Sequence, residues 1–182
     1  TNKPVISSLK GIEIQSNLRM SEVVRDCIAM SDSLVGIITG PNLASELVLR
    51  QPAGAVGAST NPEISKLIAR LFNTNYFRVY TSDDLLGCEL AGSAKSIIAL
   101  AVGMVVGMGL GENTQATIIT RGLNEVSKLG VALGANPLTF AGLAGMGDLV
   151  ASCSSGLSRI RTFGEELGRG HSMNEVRLKV NK

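Results

Sequence analysis

The sequence predicts a partial doubly wound (Rossmann-like) α/β sheet followed by an all-α helical domain. In the first part of the chain, short β-branched runs alternate with helices of about ten residues, the pattern of a layered α/β sheet. Strand signals stop after Asp83 and Asp84, and the remaining residues show helical spacing with glycine-rich turns. We therefore predict an α/β domain over residues 1–84 and a helical domain over residues 85–182.

Each predicted element of the α/β domain has a local signal. The strands are short runs of β-branched or small residues, and the helices follow turn or capping residues. We expect Asn42 to cap the second helix and Thr60 or Asn61 to cap the third, with Pro62 in its first turn. The predicted strands are residues 4–8, 34–39, 53–59 and 77–81, and the predicted helices are residues 18–29, 43–49 and 62–73.

A dinucleotide-binding sheet normally carries a GxGxxG loop after its first strand, where glycines let the backbone approach the pyrophosphate. This chain contains no such motif. Two segments begin like the motif, residues 109–111 (GLG) and residues 145–147 (GMG). At the position of the third glycine, the first has Thr114 and the second has Val150. The α/β domain is therefore interpreted as a sheet whose first units are absent from this chain.

One long apolar helix is predicted over residues 88–110, and it contains a single lysine, Lys95. Helical spacing surrounds Lys95 with Ala91, Gly92, Ile98 and Ala99, so small neighbours leave room for a substrate beside the ammonium group. The alternative is a lysine that extends its amine to water. The uninterrupted apolar run, residues 97–110, is shorter than the roughly 20 residues of a membrane span, which favours a core helix over a transmembrane one.

Composition excludes several classes of function. The net charge of +2 and the scattered cations argue against a nucleic-acid partner. The chain has three cysteines, Cys27, Cys88 and Cys153, an odd number with no CxxC spacing. This pattern indicates free thiols in a cytoplasmic protein and gives no support for a metal site. For the oligomeric state, both a monomer and a homodimer are compatible with the sequence.

Two segments of the helical domain could bind ligands. Asp148 lies among glycines and small residues, where it could hold a lysine or simply cap a helix. Ser158 is a good N-cap for a helix over residues 159–167. At the start of this helix, Arg159 and Arg161 would bind a phosphate or a carboxylate. The alternative is that both are ordinary solvated arginines.

Two segments of the α/β domain follow strands and so lie at the ligand-facing rim of a sheet. Lys10 follows the first predicted strand, although a plain surface lysine is the alternative. Gly40 and Asn42 follow the second predicted strand.

A set of ordered segments resembles a known family. The segments are SLKGIE, GPNLASE, FRVYTSDDLLGCELAGSAKSIIALAVG, GLGENTQATIITRGLNEV, TFAGLAGMGDLVASC and SRIRTFGEELGRG. Together they resemble the bacterial type of NAD(P)-dependent glycerol-3-phosphate dehydrogenase. The resemblance implies an oxidoreductase that interconverts dihydroxyacetone phosphate and glycerol 3-phosphate with NAD or NADP, for phospholipid synthesis in the cytoplasm.

The resemblance also implies roles for individual residues. Lys95 matches the catalytic acid/base, and Asp148 its neighbour in the site. Lys10 matches a lysine that contacts both substrate and cofactor, Ala44 a cofactor contact, and Arg159 a residue that touches both. The remaining implied substrate contacts are Gly40, Asn42, Ser152, Ser158 and Ile160.

The chain departs from the usual family pattern at three positions in or next to this set. Ser96 and Ile160 stand where the family usually has Asn, and Asn42 stands where Ser or Thr is usual. With these departures and without the glycine loop, we expect weak or absent NAD(P)H binding by this polypeptide alone. A truncated or degenerate non-catalytic binding or dimerisation module, and a related hydroxy-acid dehydrogenase, are the alternative functions.

Overall fold

The computed structural model describes residues 3–180 and confirms the predicted fold class. A four-stranded sheet with the order β1-β2-β3-β4 precedes a helical region. The strands are β1 (Val5–Ser7), β2 (Val35–Thr39), β3 (Ala53–Ala58) and β4 (Phe77–Ser82). The helices between them are α1 (Met20–Ile28), the 3₁₀ turn Asp32–Leu34, α2 (Ala44–Val48) and α3 (Pro62–Phe72).

The sheet is mixed, a detail that the sequence pattern does not specify. β1 pairs parallel with β2 and β3 parallel with β4, whereas β2 and β3 are antiparallel, with Ile37 opposite Ala58. The connection between β2 and β3 explains this orientation. It contains only the five-residue helix α2, whereas the two parallel pairs are connected through the longer helices α1 and α3.

The helix caps agree with the prediction at α3 and differ at α2. The Asn61 side chain accepts a hydrogen bond from the Glu63 N–H, and Pro62 is the first helical residue of α3. The expectation that Asn42 caps α2 is wrong. The N-cap is Leu43, which makes no side-chain cap, and the Asn42 side chain lines a cavity instead.

The helical region consists of α4 (Leu85–Gly107), α5 (Glu112–Ala132), α6 (Pro137–Ala141), the π-helical turn Leu143–Gly147, α7 (Asp148–Ser154), α8 (Arg159–Gly168) and α9 (Met173–Val180). The long apolar helix α4 begins three residues before the predicted start at Cys88. Its earlier start has a clear cause, because the Asp84 side chain accepts a hydrogen bond from the Gly87 N–H and so caps the helix.

The sheet has a packed layer on each face. On one face, Ile64 and Ile68 of α3 pack against Ala55 and Val79. On the other face, Leu85 and Cys88 at the start of α4 pack with Ile37, Val56, Ala58 and Ala144. The first turns of α4 therefore cover the sheet, and the rest of the helix extends into the helical region.

α4 is the central helix of the structure. Within residues 3–180 it is the one helix that is long and apolar enough to cross a membrane by length and composition. Its buried side chains Ile98, Ala99 and Val102 pack with Leu149 and Cys153 of α7, and Ile118, Ile119, Leu123 and Val126 of α5 pack on the same cluster. These contacts are those of a core helix.

Glycines bring α4 and α8 into backbone contact. A Cβ atom on Gly103 would lie 2.0 Å from the Arg161 carbonyl oxygen, and one on Gly107 would lie 2.0 Å from the Glu165 carbonyl oxygen. The contact is reciprocal, since a Cβ atom on Gly164 would lie 2.2 Å from the Leu100 carbonyl oxygen. No residue with a side chain fits at this crossing, and the crossing fixes where α8 begins relative to α4.

Gly103→Ala is expected to lower the free energy of unfolding by about 3 kcal/mol, because the added methyl group must push two helix backbones apart. Urea unfolding followed by circular dichroism measures the loss. Gly156→Ala is the matched control, because a Cβ atom at Gly156 meets no atom within 4 Å, and we expect a change below about 1 kcal/mol. Equal stability of the two variants would contradict the close helix contact.

Candidate active site

A buried carboxylate lies at the centre of the candidate site. Asp148, the first residue of α7, is 2% exposed. Its Oδ1 accepts a hydrogen bond from Lys95 Nζ on α4, and its Oδ2 accepts one from Lys10 Nζ in the segment after β1. The aspartate therefore pairs with two ammonium groups from different parts of the chain, and it is not a simple helix cap.

The backbone before Asp148 explains its position. The chain enters α7 through the π-helical turn, which packs so closely against α6 that a Cβ atom on Gly145 would lie 2.2 Å from the Phe140 carbonyl oxygen. Single π-helical turns are frequent at functional sites.

Ser152 lies one turn along α7 and completes the surroundings of Lys95. Its Oγ lies 2.9 Å from Lys95 Nζ and accepts a hydrogen bond from it. Asp148 and Ser152 thus occupy two of the three N–H donors of the ammonium group. Next to Ser152, burial raises the pKa of the Cys153 thiol to about 11, so Cys153 is a neutral core residue at pH 7.

Lys10 has a second partner at the sheet rim. Its Nζ lies 3.3 Å from the Gly40 carbonyl oxygen, and Gly40 has a φ of 134°, a left-handed conformation that favours glycine. Burial lowers the pKa of Lys10, and the charge of Asp148 opposes that shift. Lys10 is therefore part of the site and not a free surface lysine.

A cavity of about 490 Å³ opens beside Lys95. It lies between α4, α7, the segment that carries α2 and the start of α8. Both polar and apolar residues line it. Its lining residues are Asn42, Leu43, Ala44, Ser45, Lys95, Ser96, Ala99, Ser152, Leu157, Ser158, Arg159 and Ile160.

The start of α8 forms the cavity wall that suits an anion. The Ser158 side chain accepts a hydrogen bond from the Arg161 N–H at 3.4 Å, which confirms the predicted N-cap. Arg159 follows it, lines the cavity and makes no ion pair with another described residue between positions 3 and 180. With Lys10 and Lys95, the site has three cationic side chains and one carboxylate, Asp148. Lys95 and Arg159 line the cavity itself, and the net positive charge of the group suits an anion.

The structure brings the predicted site residues together. Lys95, Asp148, Ser152, Lys10 and Gly40 form one hydrogen-bonded cluster. The other predicted residues, Asn42, Ala44, Ser158, Arg159 and Ile160, line the adjoining cavity.

Sequence reasoning missed several residues of the cavity wall. Leu43, Ser45 and Leu157 also line the cavity. Their sequence signal is position only, because each lies next to a predicted residue. Ala99, predicted as a small neighbour of Lys95 that leaves room for a substrate, lines the cavity as well. In addition, the Asn42 Oδ1 atom is buried and has no hydrogen-bond partner among the described residues.

Comparisons with known proteins follow the same division of the chain. The family model of the NAD-dependent glycerol-3-phosphate dehydrogenase C-terminus matches residues 84–182, and that of the N-terminus matches residues 1–65. The chain belongs to the NAD-dependent glycerol-3-phosphate dehydrogenase family.

Individual relatives agree. Glycerol-3-phosphate dehydrogenase [NAD(P)+] of Frankia casuarinae is 53% identical over 171 residues, which cover 94% of this chain and 51% of the relative. The protein of that name from Corynebacterium diphtheriae is 51% identical over 177 residues, covering 97% of this chain and 54% of the relative. The chain thus spans about half the length of these curated relatives.

Solved structures from the family share the fold. The crystal structure of glycerol-3-phosphate dehydrogenase from Coxiella burnetii matches with a TM-score of 0.93 and 37% identity, covering all of this chain and 55% of the other. The Dunaliella salina enzyme matches with a TM-score of 0.84 and 28% identity over 90% of this chain and 28% of the other.

Two departures from the usual glycerol-3-phosphate dehydrogenase pattern face the cavity. Ser96 and Ile160 both line it, so each change falls where a ligand would make contact. Ile160 is an apolar lining residue, as are Leu43, Ala99 and Leu157. Ser96 keeps a hydroxyl group with hydrogen-bonding capacity.

Asp148→Asn is expected to lower the free energy of unfolding at pH 7 by about 3 kcal/mol, because two partly buried ammonium groups lose their shared counter-charge. Burial already lowers the pKa of Lys10, and the loss of Asp148 lowers it further. The ordinary pKa of lysine, 10.5, applies to Lys10 in the unfolded chain. At pH values between the lowered pKa and 10.5, the unfolded chain binds more protons than the folded one, so the stability of the variant rises with pH.

Urea unfolding between pH 7 and pH 10 tests this. Glu63→Gln is the control, because Glu63 belongs to the exposed Lys66 ion pair and its loss is expected to leave the urea midpoint unchanged. A penalty for Asp148→Asn that stays constant with pH would contradict the shared role of this carboxylate.

Proposed function

We propose that this chain supplies the substrate site of an NAD(P)-dependent glycerol-3-phosphate dehydrogenase. The observation that carries the proposal is the Lys95–Asp148–Ser152 cluster at the edge of a cavity that is also lined by Ser158 and Arg159 at the start of α8. This arrangement places a proton donor and an anion site on one cavity, as reduction of a phosphorylated ketone requires.

The charge of the site supports a phosphorylated substrate. Arg159 and the free N–H groups at the start of α8 suit a phosphate group. Lys95 would then face the ketone at the other end of a three-carbon molecule. Dihydroxyacetone phosphate and glycerol 3-phosphate fit this pattern, and the names of the relatives support the same pair.

The proton transfer follows from the surroundings of Lys95. As a hydride adds to the carbonyl carbon, the π electron pair moves to the oxygen, and the Lys95 ammonium donates a proton to that oxygen. Asp148 and Ser152 orient the amine during this step. In the direction of oxidation, the neutral Lys95 amine accepts the hydroxyl proton.

The residues of the cavity fit the nicotinamide end of a cofactor. Ala44 and Arg159 line the cavity, and Lys10 joins it through Asp148. The buried, unpartnered Oδ1 of Asn42 is an acceptor for a donor such as a carboxamide N–H. When bound, NAD or NADP would supply the hydride.

A related hydroxy-acid dehydrogenase is the second candidate function, and Ile160 favours it. An isoleucine on the cavity wall cannot donate a hydrogen bond to a phosphate or hydroxyl group. Comparison of kcat/KM for dihydroxyacetone phosphate with the values for unphosphorylated keto acids separates the two functions.

We extend the proposal to the cell. Glycerol 3-phosphate is the backbone of glycerophospholipids, so the reaction would supply phospholipid synthesis. Cys27, Cys88 and Cys153 are free thiols, which suits the reducing environment of the cytoplasm.

Lys95→Ala in the complete gene product is expected to lower kcat at least about 100-fold, because a positioned general acid contributes roughly that factor or more. Asp148 keeps its contact with Lys10, so we expect the circular dichroism spectrum to stay unchanged. NADPH oxidation with dihydroxyacetone phosphate measures the rate.

The control for this experiment is Lys66→Ala, which removes an exposed lysine of α3 whose partner is Glu63. Its rate should equal that of the unmodified protein. Lys95→Ala enzyme with more than half of the normal kcat would remove Lys95 from the proposed role.

A further inference from the structure

The segment that carries Lys10 has little packing of its own. After β1 the chain makes an excursion over residues 8–19 that contains one isolated bridge, between Ile12 and Arg19. Ile14 at its tip is 91% exposed, and a Cβ atom on Gly11 would meet no atom within 4 Å. Apolar packing therefore does not determine where Lys10 lies.

One side chain of α4 holds this segment next to Lys10. The Gly11 N–H donates a hydrogen bond to Ser93 Oγ at 3.1 Å, and the Ser93 hydroxyl donates to the Glu89 carbonyl oxygen at 2.8 Å. Because the hydroxyl proton is directed to Glu89, the oxygen lone pairs face Gly11. Ser93 therefore fixes the peptide group that joins Lys10 to Gly11.

The preceding residue of α4 lets the lysine side chain pass. A Cβ atom on Gly92 would lie 3.5 Å from Cδ and 3.7 Å from Cε of Lys10, so the lysine stem crosses the helix at this glycine. Beyond it, the ammonium group reaches Asp148. Gly92 and Ser93 thus guide the stem and the backbone of Lys10 toward the same carboxylate.

The other end of the excursion is fixed one turn earlier on α4. The buried Glu89 carboxylate accepts hydrogen bonds from Arg19 Nη1 at 2.7 Å and from the Ser21 N–H at 2.8 Å. Since residues 89 and 93 are four apart, they lie on one face of the helix. The excursion is therefore held at both ends, and Ser93 is the contact adjacent to Lys10.

We propose that Ser93 is a positioning residue that holds Lys10 against Asp148 through the Gly11 N–H, and this proposal rests on the proposed function of the cavity. The hydroxyl touches neither the cavity nor Lys95, so it acts through Lys10. Without it, the Lys10–Gly11 peptide has no partner on α4, and the ammonium group spends less time on the carboxylate.

The first test is the reactivity of Lys10 in the complete gene product. Reductive methylation followed by peptide mass spectrometry gives a rate for each lysine. For Ser93→Ala, loss of one hydrogen bond should raise the Lys10 rate about fivefold while the rate of exposed Lys66 stays unchanged. Ser93→Thr, which keeps a hydroxyl group, should restore the slow rate.

Ser65→Ala is the matched control, because the Ser65 hydroxyl also donates to a carbonyl of its own helix, that of Pro62, and lies away from Lys10. It should leave the Lys10 rate unchanged. An equal Lys10 rate in Ser93→Ala and the unmodified protein would overturn the proposal.

Hydrogen exchange of the unmodified protein gives a second test that does not depend on whether the variant folds. The Gly11 amide should exchange with solvent at least about tenfold more slowly than an unprotected amide. Exchange at the unprotected rate would overturn the proposal.

Enzyme kinetics separate this proposal from the function. If the cavity binds the phosphorylated substrate, Ser93→Ala should raise KM for dihydroxyacetone phosphate about fivefold with a smaller change in kcat, and Ser65→Ala should change neither. An unmodified protein without dehydrogenase activity would contradict the proposed function, whereas the methylation rates would still decide the role of Ser93.

Discussion

The structure depends on one buried carboxylate that pairs with two ammonium groups. Asp148 reaches Lys10 from the sheet rim and Lys95 from the central helix, so it joins the α/β part to the helical part. A buried aspartate without partners would be costly, and so would either lysine without the aspartate. The same three side chains therefore fix the relative position of the two parts and leave a net positive charge beside the cavity.

The long helix α4 places the other half of the site. Its first turns cover the sheet, its middle carries Ser93 and Lys95, and its glycines contact the backbone of α8. Because this contact admits no side chain, the start of α8 lies at a fixed distance from Lys95. The position of the cavity wall at Ser158 and Arg159 is thus a consequence of glycines two to three turns away along α4.

Local signals in the sequence predicted the fold class, and local signals together with the family resemblance pointed to the candidate site residues. A lone lysine in an apolar helix, an aspartate among glycines and a serine before two arginines are visible without coordinates. The antiparallel pairing of β2 with β3, the early start of α4 at Asp84 and the cavity position of Asn42 are not visible in this way. They depend on the length of a connection or on contacts between distant residues. The hydrogen bond from Gly11 to Ser93 belongs to the same class, since 82 positions separate its partners.

The central claim is that the cavity between Lys95 and Arg159 binds a phosphorylated three-carbon molecule. The most direct measurement is a titration of the ¹⁵N-labelled complete gene product with glycerol 3-phosphate and, separately, with glycerol, followed by NMR. We expect glycerol 3-phosphate to shift the amide signals of residues 42–45, 95–96, 152 and 158–160, which line the cavity, and glycerol to leave them unchanged at the same concentration. Equal shifts with both molecules, or shifts that avoid these residues, would contradict the claim.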